Sequence, residues 1–250
     1  MKFIKFQSEE GPRYGVVEKN EVREIIGDIF KDWSFSQKTM ALENLKILPP
    51  VEPQKVIAIG LNYVSHAKEK EREIPQDPMM FMVSATAIIT DQDQIIIPFP
   101  EHLTEYEAEL VVVMGKTARS VSEETALDYV FGYTIGNDIS DRDLQRKDKQ
   151  FTRAKSFHTF KPLGPVIETQ LDPGNVDIKL WVNGELKQNS NTKYLIHSIP
   201  KLISFISEVM TLYPGDLIYT GTPEGVGPLK SGDKMEIRIQ GIGALTNTVS

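Results

Sequence analysis

The 250-residue chain is 40% hydrophobic and 25% charged, an ordinary globular composition that permits one large domain or a main domain with a small appendage. A net charge of −7 argues against nucleic acid or an anionic membrane surface as the main partner, without excluding small anionic substrates. The absence of cysteine excludes disulfides, thiolate zinc sites and thiol catalysis, and no stretch approaches the roughly 18 apolar residues of a membrane span.

The chain opens with MKFIKFQSEEGPR, too short in its apolar run and too soon acidic for a signal peptide, so a cytoplasmic protein is expected. Residues 1 to about 46 read as a small β-rich unit: MKFIKFQ alternates, and YGVVEKNEVREI resembles two short strands around Lys19-Asn20. ILPPVEPQK (47–55), with its three prolines, reads as a linker unable to continue helix or sheet. From KVIAIG onward strands dominate, in FMVSATAII, IIIPF, ELVVVMG, YTIGNDI, DIKLWV and DLIYTG. Asn183-Gly184 predicts a type I′ hairpin, which needs positive φ at both positions. Two helices are predicted. SVSEETALDYVFGY begins with a Ser120-x-x-Glu123 capping box, and SIPKLISFISEVM sets Ile199, Leu202, Ile203, Ile206, Val209 and Met210 on one stripe. There are no internal repeats, and the pattern is β-rich α+β rather than a βαβ alternation.

Candidate chemistry begins at TEYEAELVVVMG. Glu107 and Glu109 immediately precede a strand whose apolar run reads as buried on both faces. Two residues apart in a strand, they share a face at roughly 7 Å along the chain. Like charges entering a buried strand require that one neutralise or that a cation arrive. Asp138, which ends the apolar run after Gly136-Asn137, offers a third carboxylate, and three oxygen ligands without sulfur suit Mg²⁺ or Mn²⁺. Plainer readings stand beside this one: Asp138 caps the helix beginning at SDRDLQ, and the glutamates pair with surface lysines.

Among the histidines, none has zincin spacing. His66 lies one helical turn before Glu69, either a general-base pair or part of a solvated helix face. His197 reads as the approach to the Ser198-Ile199-Pro200 helix start, while His102 and His158 have no evident partner. YTGTPEGVGPLKSGDK lacks the phosphate-loop pattern; it is either a rigid turn fixed by Pro223 and Pro228, or a wall of backbone amides with the Thr222 hydroxyl that could hold a carboxylate. Lys155, in RAKSFHTFKPLGP, is a cation beside an otherwise acidic set. No G-x-S-x-G elbow is present.

Six stretches in order, GLNYVSHAKE, YEAELVVVMGK, GYTIGNDISDRDLQ, AKSFHTFKPLGP, LWVNGELKQ and YTGTPEGVGP, resemble the fumarylacetoacetate hydrolase superfamily over about residues 55–248, in its acylpyruvase and oxaloacetate decarboxylase-like branch. The resemblance implies a mixed β-sandwich roll over 51–250, usually dimeric, with residues 1–50 as a small amino-terminal domain and linker. It implies Glu107, Glu109 and Asp138 as ligands of Mg²⁺ or Mn²⁺. Arg142, Gln145, Lys155 and Thr222 would border a small 2-oxo acid substrate, and His66 and Glu69 would form the catalytic dyad on a short helix over it. The implied reaction is C–C hydrolysis of an acylpyruvate-like acid. Glu69 with His66 would take a proton from water and Lys155 would stabilise charge on oxygen. Decarboxylation or keto–enol isomerisation at the same site is the alternative, and a catalytically idle metal-binding homologue is a further one. Two positions depart from the family pattern: Val83 stands where a lysine is common, and Asp141 where a small residue is usual.

Overall fold

The computed structural model describes residues 1–250. Strands β1 (Lys2–Ser8), β2 (Gly11–Glu18), β3 (Glu21–Gly27), β4 (Trp33–Ala41) and β5 (Lys46–Leu48) open the chain, followed by β6 (Val56–Gly60), helix α1 (Val64–Glu69) and β7 (Met79–Val83). Short pieces β8 (Ile88–Ile89), β9 (Gln94–Ile95) and β10 (Thr104–Glu105) lead to the long strands β11 (Ala108–Met114) and β12 (Val130–Asn137). After β13 (Ser140–Asp141) come α2 (Arg142–Asp148), α3 (Thr152–Lys155), β14 (Lys161–Glu168), β15 (Asp177–Val182) and β16 (Glu185–Asn191). Helix α4 (Ile199–Val209), β17 (Leu217–Tyr219), β18 (Lys234–Ile239) and β19 (Gly243–Val249) complete the chain.

The main sheet runs β4-β3-β2-β1-β14-β12-β11-β17-β6-β7, and a second sheet runs β16-β15-β18-β19-β9. Alternation along β11 shows how they combine. Leu110, Val112 and Met114 join the larger apolar cluster, with Ile178 and Leu180 of β15, Ile237 of β18 and Leu202 of α4. Val111 and Val113 join the smaller one on the opposite face, with Val56, Leu163 and Tyr219. Both faces of β11 are therefore buried, and the two sheets close as a β-rich sandwich roll. No helix is long and apolar enough to cross a membrane.

The amino-terminal strands extend the main sheet: β1 pairs antiparallel with β14, setting Phe3 opposite Ile167, while its second half pairs with β5. Ile47 and Leu48 thus lie in a strand, contrary to the linker expectation. Only after Leu48 do the prolines end pairing, because proline cannot donate to a ladder. The IIIPF run contributes only Ile95 to a strand.

The helix predicted from Ser120 is absent. Ser120 sits at φ 48°, not in the extended conformation an N-cap requires, and its N–H donates to Ser207 O in α4. One 3₁₀ turn, Ala126–Tyr129, precedes Val130, from which the chain joins β11 and β14 in the sheet. The other predicted helix forms as α4, capped by Ser198, with Ile199, Leu202, Ile203 and Ile206 buried but Val209 59% exposed past the end of the stripe. The Asn183-Gly184 turn has φ 51° and 80°, as a type I′ hairpin needs.

Candidate active site

Every site element sits at the end of a strand or on the short helices after it. Glu107 and Glu109 enter β11, Asp138 follows β12, and the two strands pair in register from Ala108 opposite Asn137. Asp138 N–H donates to Glu107 O, and the Asn137 side chain accepts from Glu107 N–H at 2.9 Å, so the turn holds the carboxylates together. The oxygens of Glu107, Glu109 and Asp138 lie within 4.8 Å of one another, all three side chains buried. Glu109 accepts from Gly221 N–H at 2.7 Å. Gly221 has φ 100°, and a Cβ there would lie 2.7 Å from Asn62 Cβ, so glycine lets the 220–225 loop close on the site.

Electrostatics divide the three acids. Burial pushes the Glu109 carboxyl well above the usual carboxylate range, and Asp138 and Glu107 push it further. Burial also raises Glu107, but Lys155, Arg142 and His66 outweigh it and hold Glu107 well below that range. Lys155 Nζ donates to Glu107 Oε2 and Asp138 Oδ2, both at 2.8 Å, and to Ser140 Oγ at 2.6 Å. Asp138 Oδ1 is buried without a hydrogen bond of good geometry, although Lys161 Nζ stands 2.5 Å away as an ion pair. Converging hard oxygens and one carboxyl destabilised by like charge are the features a divalent cation would satisfy, so the residues fit such an ion.

A cavity of about 630 Å³ opens above this cluster, lined by His66, Glu105, Glu107, Arg142, Gln145, Lys155 and Thr222. Glu109 and Asp138 lie beneath it. On α1, His66 Nδ1 donates to Glu69 Oε2 at 3.0 Å, because an ionised carboxylate can only accept. Glu69 Oε1 accepts from Gly225 N–H at 2.9 Å. Both Glu69 oxygens are engaged, and of the two residues it is His66 that lines the cavity.

Arg142 heads α2, where Asp141 caps by accepting from Leu144 N–H. Its Nε donates to Glu105 Oε2 at 2.6 Å, Nη2 to Glu107 Oε1 at 2.5 Å and Nη1 to Gln145 Oε1 at 2.8 Å. Arg142 is therefore foremost a clamp on the acidic cluster. The Thr222 hydroxyl accepts from Gln188 Nε2 at 2.9 Å, which frees its own proton for a ligand.

Sequence reasoning missed three participants. Glu105 continues the Glu107–Glu109 alternation by one step and signalled itself that way. His102, expected to lack a partner, bonds Asp141 Oδ2 through Nδ1 at 2.7 Å. Asp141 spends its carboxylate there and on the α2 cap, and does not line the cavity. Lys161, wholly buried, pairs with Asp138, and Val83 packs in the smaller apolar cluster.

Residues 55–250 match the family described as fumarylacetoacetate (FAA) hydrolase C-terminal, and residues 1–50 the family described as Rv2993c-like, N-terminal. A fumarylacetoacetate hydrolase domain-containing protein 2 homolog of Dictyostelium discoideum is 44% identical, over 86% of this chain and 78% of that protein. A mitochondrial oxaloacetate tautomerase of Xenopus laevis is 40% identical, over 86% of this chain and 71% of its own. The crystal structure of a 5-carboxymethyl-2-hydroxymuconate delta-isomerase from Mycobacterium smegmatis superposes with a TM-score of 0.93 at 41% identity, covering 100% of this chain and 99% of the other.

Proposed function

The chain belongs to the fumarylacetoacetate hydrolase family, and from that premise we propose a divalent-metal-dependent enzyme that enolises 2-oxo acids, with keto–enol or double-bond isomerisation as its outcome. The observation that carries the reading is one cavity-facing base, His66, held by Glu69 above the three-carboxylate cluster. The tautomerase and isomerase among the relatives favour isomerisation; the hydrolysis expected from sequence needs the same base plus an attacking water.

Glu107, Glu109 and Asp138 would hold the ion, which when bound supplies a Lewis acid for the 2-oxo group. His66 Nε2 takes a proton from the carbon beside that group and returns it to the enolate oxygen, or to another carbon of the conjugated system when a double bond moves, each step being reversible. The Thr222 hydroxyl donates to a substrate oxygen, and Lys155, whose three N–H groups go to Glu107, Asp138 and Ser140, contributes its positive charge at the cavity wall. Four carboxylates, including Glu105, set against Arg142, Lys155, Lys161 and a divalent ion leave one net positive charge, which suits one substrate carboxylate. The exposed cations Lys70, Arg72, Arg146 and Lys149 line the outer cavity and draw anions toward it.

The test is incubation with Mg²⁺ and either enol oxaloacetate or a panel of acylpyruvates, following enol absorbance and products. Loss of enol without new acids supports isomerisation. Release of pyruvate and a second acid would establish hydrolysis instead, and no turnover of any 2-oxo acid would reject the proposal.

Glu109 adds a pH signature. Its carboxyl takes a proton at pH values where an ordinary carboxylate of pKa 4.5 is ionised, so Mg²⁺ must displace that proton. Affinity should strengthen as pH rises, and calorimetry in buffers of different ionisation enthalpy should report proton release. Without the ion the sign reverses for stability. The folded chain holds a proton the unfolded chain has lost, so stability falls as pH rises from 4.5 through the raised value. We also infer a homodimer in the cytoplasm; light scattering should give about twice the 28.2 kDa of one chain.

A further inference from the structure

We propose that Lys161 is a resident counter-ion, fixed behind Asp138, that weakens divalent-cation binding while allowing the acidic cluster to fold without the cation. The proposal rests on the reading of Glu107, Glu109 and Asp138 as metal ligands.

Two lysines share Asp138, and they differ in what else they can do. Lys155 lines the cavity beside Glu107, and its donors go to the side-chain oxygens of Glu107, Asp138 and Ser140. Lys161, at the start of β14, is fully buried and does not reach the cavity. Its Nζ stands 2.5 Å from Asp138 Oδ1, 2.5 Å from Lys155 O, 3.1 Å from Phe160 O and 3.4 Å from Ile139 O. Four acceptors for three N–H groups leave no donor for a ligand. Phe160 and Ile139, whose carbonyls hold the ammonium, are themselves fully buried, so no water replaces these contacts. Lys161 therefore makes no contact with substrate; it is a positioning residue that sets the charge of the cluster and holds Asp138 by Oδ1, leaving Oδ2 to Lys155.

Burial lowers the Lys161 pKa from the ordinary lysine value and the Asp138 carboxylate opposes that shift; held charged by this pair, an ammonium on the far side of a ligand has effects of opposite sign in two conditions. Without a divalent ion it offsets the repulsion among buried carboxylates, and its loss exposes that repulsion. With the ion bound it repels a second cation only a few ångströms away in a region of low dielectric, and its loss removes that repulsion. A lysine that only filled space would show no such crossing.

The test uses the full chain as Lys161→Met and Lys161→Gln, the second retaining a donor for the carbonyls, both purified in Mg²⁺. Thermal melts in EDTA and in saturating Mg²⁺, with Mg²⁺ titration by calorimetry at mildly alkaline pH, are compared with wild type. Expected are lower melting temperatures in EDTA, recovery in Mg²⁺, and Mg²⁺ affinity tighter by about tenfold or more. Equal or weaker affinity in both variants overturns the proposal, as does failure of either to regain the folded state in saturating Mg²⁺. Wild-type protein that binds neither Mg²⁺ nor Mn²⁺ would overturn the metal-ligand reading itself, and this proposal with it.

Discussion

His66→Asn is expected to lower turnover by about 10²- to 10⁴-fold while leaving Mg²⁺ affinity unchanged, the range typical of a lost general base. Asparagine keeps a polar group near Glu69 but offers no nitrogen able to accept a proton. His66 makes no hydrogen bond to Glu107, Glu109 or Asp138, so the carboxylates keep their partners. Glu69→Gln should cost less, because the imidazole remains and the Gly225 N–H still finds an oxygen, but the orienting charge is gone. Single-turnover kinetics with Mg²⁺ titrated in parallel separate the effects. A His66→Asn enzyme turning over at the wild-type rate would place the base elsewhere.

Asp138→Asn and Glu109→Gln should change stability in opposite directions when both are measured in chelator. Asp138 is the shared anion of two buried ammonium groups, and its removal leaves Lys161 without a carboxylate and Lys155 with Glu107 alone. Breaking a buried ion pair by removing one partner typically costs about 3–5 kcal/mol. Glu109 is the acid that burial, Asp138 and Glu107 all oppose, and glutamine removes the charge while keeping an acceptor for Gly221 N–H. The Glu109→Gln protein should therefore melt above wild type in EDTA and gain nothing from Mg²⁺. Urea titration measures both, and a Glu109→Gln protein less stable than wild type would contradict the like-charge account.

Much of this was legible in the residues themselves. The apolar run after Glu109 fixed β11 as a strand buried on both faces, and the two-residue spacing placed the glutamates on one side of it. Asn183-Gly184 and the stripe of α4 were equally explicit, because turn chemistry and helical period are local. What failed depended on distant partners. The Ser120 segment has a sound capping pattern, yet Ser207 takes its N–H and the sheet takes the residues after Tyr129. The roles within the site were legible as a set but not as contacts. That Glu69 is spent on Gly225, or Arg142 on two glutamates, follows from loops about 156 and 35 residues apart in sequence meeting in space. Lys161 was hidden for a different reason: most lysines are solvated, and nothing local marks one that is not.

The pairing of β1 with β14 makes the amino-terminal strands a cover against open-ended strand addition. Lys2, Phe3 and Ile4 cover the backbone of Val166, Ile167 and Glu168, and Phe3 seals the flank by resting on Trp33 and Phe131. Removing residues 1–50 would bare an unpaired strand edge beside an apolar flank, the template on which chains stack. Such a truncation would still carry every candidate catalytic side chain, yet it should precipitate on concentration or recruit a second copy by strand addition.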